Sequence, residues 1–271
     1  MTPIFEAEEL YYTYPGQPRP ALRGACLQVR AGQKVAVLGR NGSGKSTLFL
    51  HGNGILRPSQ GVVRFMGQPL SYDRASLRAL RRQVGIVFQN PDDQLFSASV
   101  AQDISFGPLN LGLSQAETRK RVWAAAELCG ITDLLDCPTH ALSGGQKARV
   151  ALAGLLAMDP VLLIIDEITA SLDAHIRRQI FMLFQQLANQ GKTIMLATHD
   201  ADEARYWSDW VVLMEAGRVI ASDTPERIFA NQELLERVGM AEPWYLPFVR
   251  GQSQGCDQAA SSTPIAPNGK Q

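Results

Sequence analysis

Residues 39–47 read GRNGSGKST, and no other stretch restricts the fold of this chain as strongly. It fits G-x-x-x-x-G-K-[ST], follows the apolar run VAVL, and a helical pattern begins inside GKSTLFLHG. Glycines at these positions let consecutive N–H groups turn toward one anion, and a helix N-terminus adds its positive dipole. The motif carries weight only between a strand and a helix, and it has that setting here. A phosphate site is therefore predicted from Gly39, Asn41, Gly42, Ser43, Gly44 and Thr47. Lys45 would bridge the β- and γ-phosphates of a nucleotide, and the Ser46 hydroxyl would face Mg²⁺.

A strand–loop–helix unit of this kind belongs in an α/β sheet, and the rest of the chain fits one. FEAEELYYTY, ACLQVR, KVAVLG, VVRFM and VGIVF are β-favouring runs separated by Gly, Pro and Asn signals. Strand signals fade from about Ser99 to Met158, where Ala-, Leu- and Gln-rich segments take over. Ser114 stands three residues before Glu117 there, the capping-box spacing of a helix start. Strands return at VLLIID and TIMLAT. Between them Ile176, Ile180, Leu183, Phe184 and Leu187 share one helical face. WVVLMEAGRVIAS predicts a hairpin around Gly217. The alternation predicts a mostly parallel sheet, covered on both faces, with a helical insert.

VLLIIDE, residues 161–167, is an apolar run ending in two acids. A strand buried on both faces brings its C-terminal end out beside the phosphate loop. On the phosphoryl-transfer template Asp166 holds Mg²⁺ and Glu167 polarises the attacking water. LSGGQ, Leu142–Gln146, sets Ser143, Gly144 and Gly145 at the start of another helix, a second anion-binding element with a cap hydroxyl and open amides. One chain thus holds two phosphate-binding elements and one complete cradle. A head-to-tail dimer resolves that mismatch, each nucleotide lying between one copy's loop and the other's LSGGQ.

Composition excludes several alternatives. Lysine plus arginine equals aspartate plus glutamate at 26 each, so no overall field draws the chain to nucleic acid or an anionic membrane. The four cysteines form no C-x-x-C pair and the N-terminus carries no secretory pattern, which predicts a reduced, cytosolic setting. No apolar run approaches the roughly 18 residues needed to span a bilayer. Any membrane role is expected to run through a partner.

With these motifs in this order, the sequence resembles the ATP-binding-cassette (ABC) ATPases from about Tyr14 to His199. The resemblance implies a P-loop fold: a RecA-like core with an antiparallel β subdomain and a helical subdomain. It implies ATP and Mg²⁺ as ligands. It makes Tyr14 the aromatic that stacks on adenine, although a tyrosine on a strand face, beside Tyr11 and Tyr12, remains an open reading. Gln89 resembles the Q-loop glutamine that reaches Mg²⁺ and the attacking water. Ser171-Leu172-Asp173 is similar to the D-loop that couples two sites across a dimer, and His199 to the switch histidine that contacts the γ-phosphate. Where the family usually has proline after the Walker B glutamate this chain has Ile168, which predicts a looser D-loop.

FQNPDDQLFSASVAQDISFGPLNLGL, HGNGILRPSQG and LSGGQKARVALAG resemble the energy-coupling-factor (ECF) ATPases, most closely the cobalt-importer type, CbiO. The implied protein is a peripheral ATPase on the cytoplasmic membrane face, pairing with itself or a paralogous ATPase. It would dock under a membrane scaffold of the CbiQ or EcfT type, with CbiM- and CbiN-type subunits handling the metal. Nickel or a vitamin is the alternative cargo, and a cassette acting on nucleic acid the alternative class. The expected layout is an ATPase domain over 1–222, with the helical subdomain at about 90–158, a C-terminal helical extension over 223–249, and a disordered tail over 250–271. Ile228, Leu234, Leu235 and Val238 fit either a dimer contact or core packing. Arg74, Arg78, Arg81 and Arg82 make a basic, solvated helix face. In QNPDDQLFS, Asp92 to Phe96 are expected to shape a groove for the scaffold's coupling helices.

Overall fold

The computed structural model describes residues 2–240, and its β-structure divides into two sheets. The chain runs β1 (Phe5–Tyr12), β2 (Leu22–Val29), β3 (Lys34–Leu38), α1 (Lys45–Gly52), β4 (Gln60–Phe65), β5 (Gln68–Pro69), α2 (Arg74–Gln83) and β6 (Val84–Val87). It continues α3 (Val100–Asn110), α4 (Gln115–Leu128), α5 (Gly144–Leu156), β7 (Leu162–Asp166), α6 (Ala174–Asn189) and β8 (Thr193–Ala197). The described part ends with α7 (Ala201–Trp207), β9 (Trp210–Glu215), β10 (Arg218–Asp223), α8 (Pro225–Ala230) and α9 (Gln232–Arg237).

The larger sheet has the order β10-β9-β3-β8-β7-β6, parallel except for the β9–β10 hairpin. All five residues of β7 and of β8 are buried, as their unbroken apolar sequences require of strands covered on both faces. β8 lies between β3 and β7. The loops leaving β3, β7 and β8 therefore emerge at one C-terminal edge, and β3 and β7 face each other across one strand.

The smaller sheet, β2-β1-β4-β5, is antiparallel and packs on the first through Phe5, Leu10, Leu22, Val35, Leu48 and Ile164. Between β6 and β7 the described elements are all helical: α3, α4 and α5 with single 3₁₀ turns. Their inner faces join the core through Ile104, Val122, Ala126 and Leu152. The predicted stripe of α6 is present: Ile180, Leu183, Phe184 and Leu187 are buried, and Ile176 packs at the margin.

One expectation changes and one open alternative closes. Ile168, expected to loosen the segment after β7, is 1 % exposed and anchored in the main core. A buried β-branched side chain restrains the 3₁₀ turn that it opens, Ile168–Ser171. In the C-terminal segment Ile228, Leu235 and Val238 are buried against Ala36, Leu38, Ala204, Val211 and Leu213. Ordinary core packing accounts for them. The remainder of the expected extension, 241–249, and the tail expected over 250–271 lie outside the described residues.

Candidate active site

The loop after β3 closes on itself before α1 begins. Ser43 N–H donates to the Arg40 carbonyl at 3.0 Å, and the loop's next turn requires glycine: Gly44 has φ +107° and a side chain there would stand 2.8 Å from the Ala21 carbonyl. A brace comes from far along the chain. Gly217 N–H, in the β9–β10 turn, donates to the Ser43 carbonyl at 2.8 Å, and the Gly217 carbonyl accepts from Arg23 N–H at 2.8 Å.

Around this loop lies a cavity of about 410 Å³. Its walls bring together Tyr14, Asn41, Gly42, Ser43, Gly44, Lys45, Ser46, Thr47, Gln89 and Glu167, ten of the residues expected at one site. The eleventh, Ala21, had no motif to announce it, since its contribution is a backbone pressed against the glycines. Lys45 is 5 % exposed; its Nζ donates to the Gly39 carbonyl at 2.8 Å and lies 3.0 Å from Glu167 Oε1. Gln89 Nε2 donates to the other oxygen, Oε2, at 2.9 Å. The Tyr14 hydroxyl lies 3.2 Å from Thr47 Oγ1.

Asp166, at the end of β7, is buried, and burial raises its carboxyl pKa while the Ser46 hydroxyl pulls it down. Its Oδ1 is shielded from solvent and has no hydrogen-bond partner. A buried carboxylate oxygen with unused lone pairs beside a serine hydroxyl is the donor set a hard divalent cation takes, so these residues fit Mg²⁺. Glu167 itself has φ +49°, a left-handed backbone that turns its side chain out of the strand line.

The other expected residues do not line this cavity. Ser143 caps α5 in a capping box: its Oγ accepts from Gln146 N–H, and Gln146 Oε1 accepts from Ser143 N–H at 2.8 Å. Ser143 and Gly144 are exposed, Gly145 and Gln146 half-buried, and Leu142 anchors the turn from below. Asp173 caps α6 by accepting from Ile176 N–H at 2.9 Å and is exposed. His199 lines a different cavity, about 640 Å³, with Asp200 and Arg205 of the α7 region, Phe229 and Leu235 of the C-terminal helices, and Met240 beyond them. Asp200, directly after His199, caps α7 by accepting from Asp202 and Glu203 N–H.

HGNGI, residues 51–55, has a structural cause. His51 is fully buried with Nδ1 2.7 Å from the Thr47 carbonyl, and burial lowers its pKa. Asn53 Nδ2 donates to the Val84 carbonyl, tying the end of α1 to β6. In QNPDDQLFS, Asp92 pairs with Lys147 of α5, and Leu95 is half-buried and packs on the core. Phe96 is 65 % exposed and meets Phe106 edge to face at 4.7 Å.

Residues 22–170 match the family model for the ABC transporter domain. The chain is similar to the energy-coupling factor transporter ATP-binding protein EcfA of Methanosphaera stadtmanae, 44 % identical over 90 % of this chain and 87 % of that protein. It is 46 % identical to EcfA2 of Methanospirillum hungatei over 90 % of this chain, spanning 61 % of that protein's length. Among solved structures, CbiO1 from Clostridium perfringens, part of the ABC transporter complex CbiONQ, aligns with a TM-score of 0.76 and 44 % identity, covering 94 % of this chain and 100 % of that one. A dimeric ATP-binding cassette bound to ADP and Pi aligns with a TM-score of 0.76 at 26 % identity, covering 82 % of this chain and 98 % of that one.

Proposed function

From the chain's membership of the ABC transporter ATP-binding family, an ATPase family, we propose that it is the ATP-hydrolysing subunit of an ECF-type importer, with cobalt as cargo. The observation that carries the reading is the convergence of Lys45, Gln89 and Glu167 on one cavity, with the LSGGQ helix start exposed elsewhere on the same chain. Two copies placed head to tail give two complete sites, each closed by the partner's exposed Ser143 and glycine amides.

In this reading the loop amides and Lys45 hold the β- and γ-phosphates, and Tyr14 stacks on adenine. Ser46, Asp166 and Gln89 would hold Mg²⁺, which supplies charge neutralisation at the phosphate oxygens. Glu167 accepts a proton from the attacking water, with Gln89 fixing its carboxylate and His199 approaching the γ-phosphate on closure. Asp173 couples the two sites across the dimer. Dimer closure is transmitted to a membrane scaffold; among the described residues no helix is long and apolar enough to cross a membrane. A groove between α2 and α3 suits that partner. It measures about 450 Å³ and pairs apolar Leu77, Phe106 and Met158 with Arg78 and Arg81.

The test is copurification with the native membrane partners, followed by ATP-driven uptake of radioactive cobalt with nickel and vitamin competitors. Uptake of cobalt that excess nickel does not displace supports the reading. Uptake of a vitamin instead replaces the cargo, and a complex that turns over ATP without any uptake refutes the function.

A further inference from the structure

The loops that end β7 and β8 carry Glu167 and His199, and one side chain outside every motif holds both. Glu203, in the first turn of α7, is 8 % exposed along its side chain. Its Oε2 accepts from Thr198 Oγ1 at 2.6 Å and from Thr169 Oγ1 at 3.1 Å. Thr198 immediately precedes His199, and Thr169 stands two residues after Glu167. Both threonines are 2 % exposed, so neither hydroxyl can turn to water for a replacement acceptor.

The same cluster fixes backbone on each side. Thr198 Oγ1 also accepts from Asp200 N–H at 3.0 Å, which sets the turn through His199. Arg177 of α6, just past Leu172 and Asp173, has its Nε 3.8 Å from Glu203 Oε1 and its Nη1 3.6 Å from Asp200 Oδ2. Its Nη2 donates to the Leu172 carbonyl at 3.5 Å. One carboxylate thus joins the segment after Glu167, the segment before His199, and the helix that starts at Asp173.

We propose that Glu203 is a positioning residue for ATP hydrolysis: through Thr169 and Thr198 it locks the strand-end loops of Glu167 and His199 into one mutual arrangement. The proposal rests on the roles given above to Glu167 and His199. Glu203 touches no reacting atom and lines neither the phosphate cavity nor its loop, so its loss acts on turnover and not on nucleotide binding. Isosteric Gln keeps an acceptor oxygen for both hydroxyls, whereas Ala leaves them buried and unpaired.

The experiment measures kcat and KM for ATP on the full chain carrying Glu203→Ala, Glu203→Gln, Thr198→Val and Thr169→Val, with Glu167→Gln as the reference for the underlying roles. Displacing a catalytic group through a lost support is expected to lower kcat about 10-fold or more in Glu203→Ala, with KM within about 2-fold of the parent. Glu203→Gln should recover most of that loss. Thr198→Val combined with Glu203→Ala should be no worse than Glu203→Ala alone, because both remove one connection. The proposal is overturned by an unchanged kcat in Glu203→Ala, by Gln being as damaging as Ala, or by additive losses. Should Glu203→Ala not accumulate as folded protein, the two Val variants carry the test: an intact kcat in their double variant overturns it. Undiminished hydrolysis by Glu167→Gln would sink the underlying roles, a result distinguishable from an inert Glu203.

Discussion

Nζ of Lys45 lies 3.0 Å from Oε1 of Glu167, linking the phosphate loop after β3 to the end of β7 across the width of β8. Neither side chain is more than 8 % exposed. An ion pair so placed draws its strength from low dielectric and suffers most when one partner is removed. Glu167→Gln should therefore bind ATP, since Lys45 keeps the Gly39 carbonyl, while hydrolysis falls by about 10² or more as expected for a lost general base. Lys45→Ala should instead weaken ATP binding. Nucleotide titration beside phosphate-release kinetics separates the two outcomes; turnover near the parental rate in Glu167→Gln would count against its role.

If the exposed LSGGQ helix start completes the partner's site, ATP should convert Glu167→Gln from monomer to dimer. Adding Ser143→Arg, which places bulk and a long side chain at that surface, should return it to monomer. The lost cap alone costs about 1 kcal/mol, too little to unfold the domain. Light scattering after size exclusion reads the mass directly, and a persistent dimer would argue for a different interface.

Gly217 braces the loop from the β9–β10 turn, with φ +80° and space for a side chain blocked by the Ala21 carbonyl at 2.6 Å. Gly217→Ala should cost about 1–3 kcal/mol in backbone strain and loosen the Ser43 contact. A lowered thermal midpoint with several-fold weaker ATP binding is the expected pair of results. Lowered stability with unchanged affinity would confine Gly217 to the fold.

Phe96 and Phe106 are 65 % and 51 % exposed and meet edge to face. Replacing both by Ser should leave ATP hydrolysis and the thermal midpoint close to parental values while abolishing copurification with the membrane scaffold. Leu95→Ser should differ, lowering stability, because Leu95 packs on the core. Retained assembly of the Phe96/Phe106 double variant would move the docking surface elsewhere.

Asp73 caps α2, accepting from Ala75 and Ser76 N–H at 3.0 Å each and from the Ser71 hydroxyl at 2.7 Å. These bonds, those to Ser76 first, hold its carboxyl well below its ordinary value of 3.8. A carboxylate depressed on folding contributes stability that is present above the unfolded value and lost as pH falls through the folded one. Asp73→Asn keeps the cap but not the charge, so its thermal midpoint should fall less steeply than the parent's as pH drops below about 4, near the unfolded carboxylate range. Parallel curves for the two proteins would remove Asp73 from the acid response.

Most of the C-terminal edge of the larger sheet was legible in the sequence because its signals are local. Gly39 to Thr47 demand a strand before and a helix after, and the apolar run into Asp166 and Glu167 demands a strand buried on both faces. Capping at Ser114 and Ser143 is equally local, each cap being one side chain and an amide three residues on. Groups that act at long sequence separation carried no such signal. Gly217 reaching Ser43, Ala21 closing on Gly44, and Glu203 joining Thr169 to Thr198 depend on which strand lies next to which. The sequence determined by itself the glycine loop between a strand and a helix, the apolar strand ending in two acids and the Ser143-capped helix start, since steric freedom and hydropathy act between near neighbours. Tertiary structure alone decided that Lys45 meets Glu167, that His199 faces the C-terminal helices, and that Ile168 is anchored, because strand order and burial exist only once the sheet has assembled.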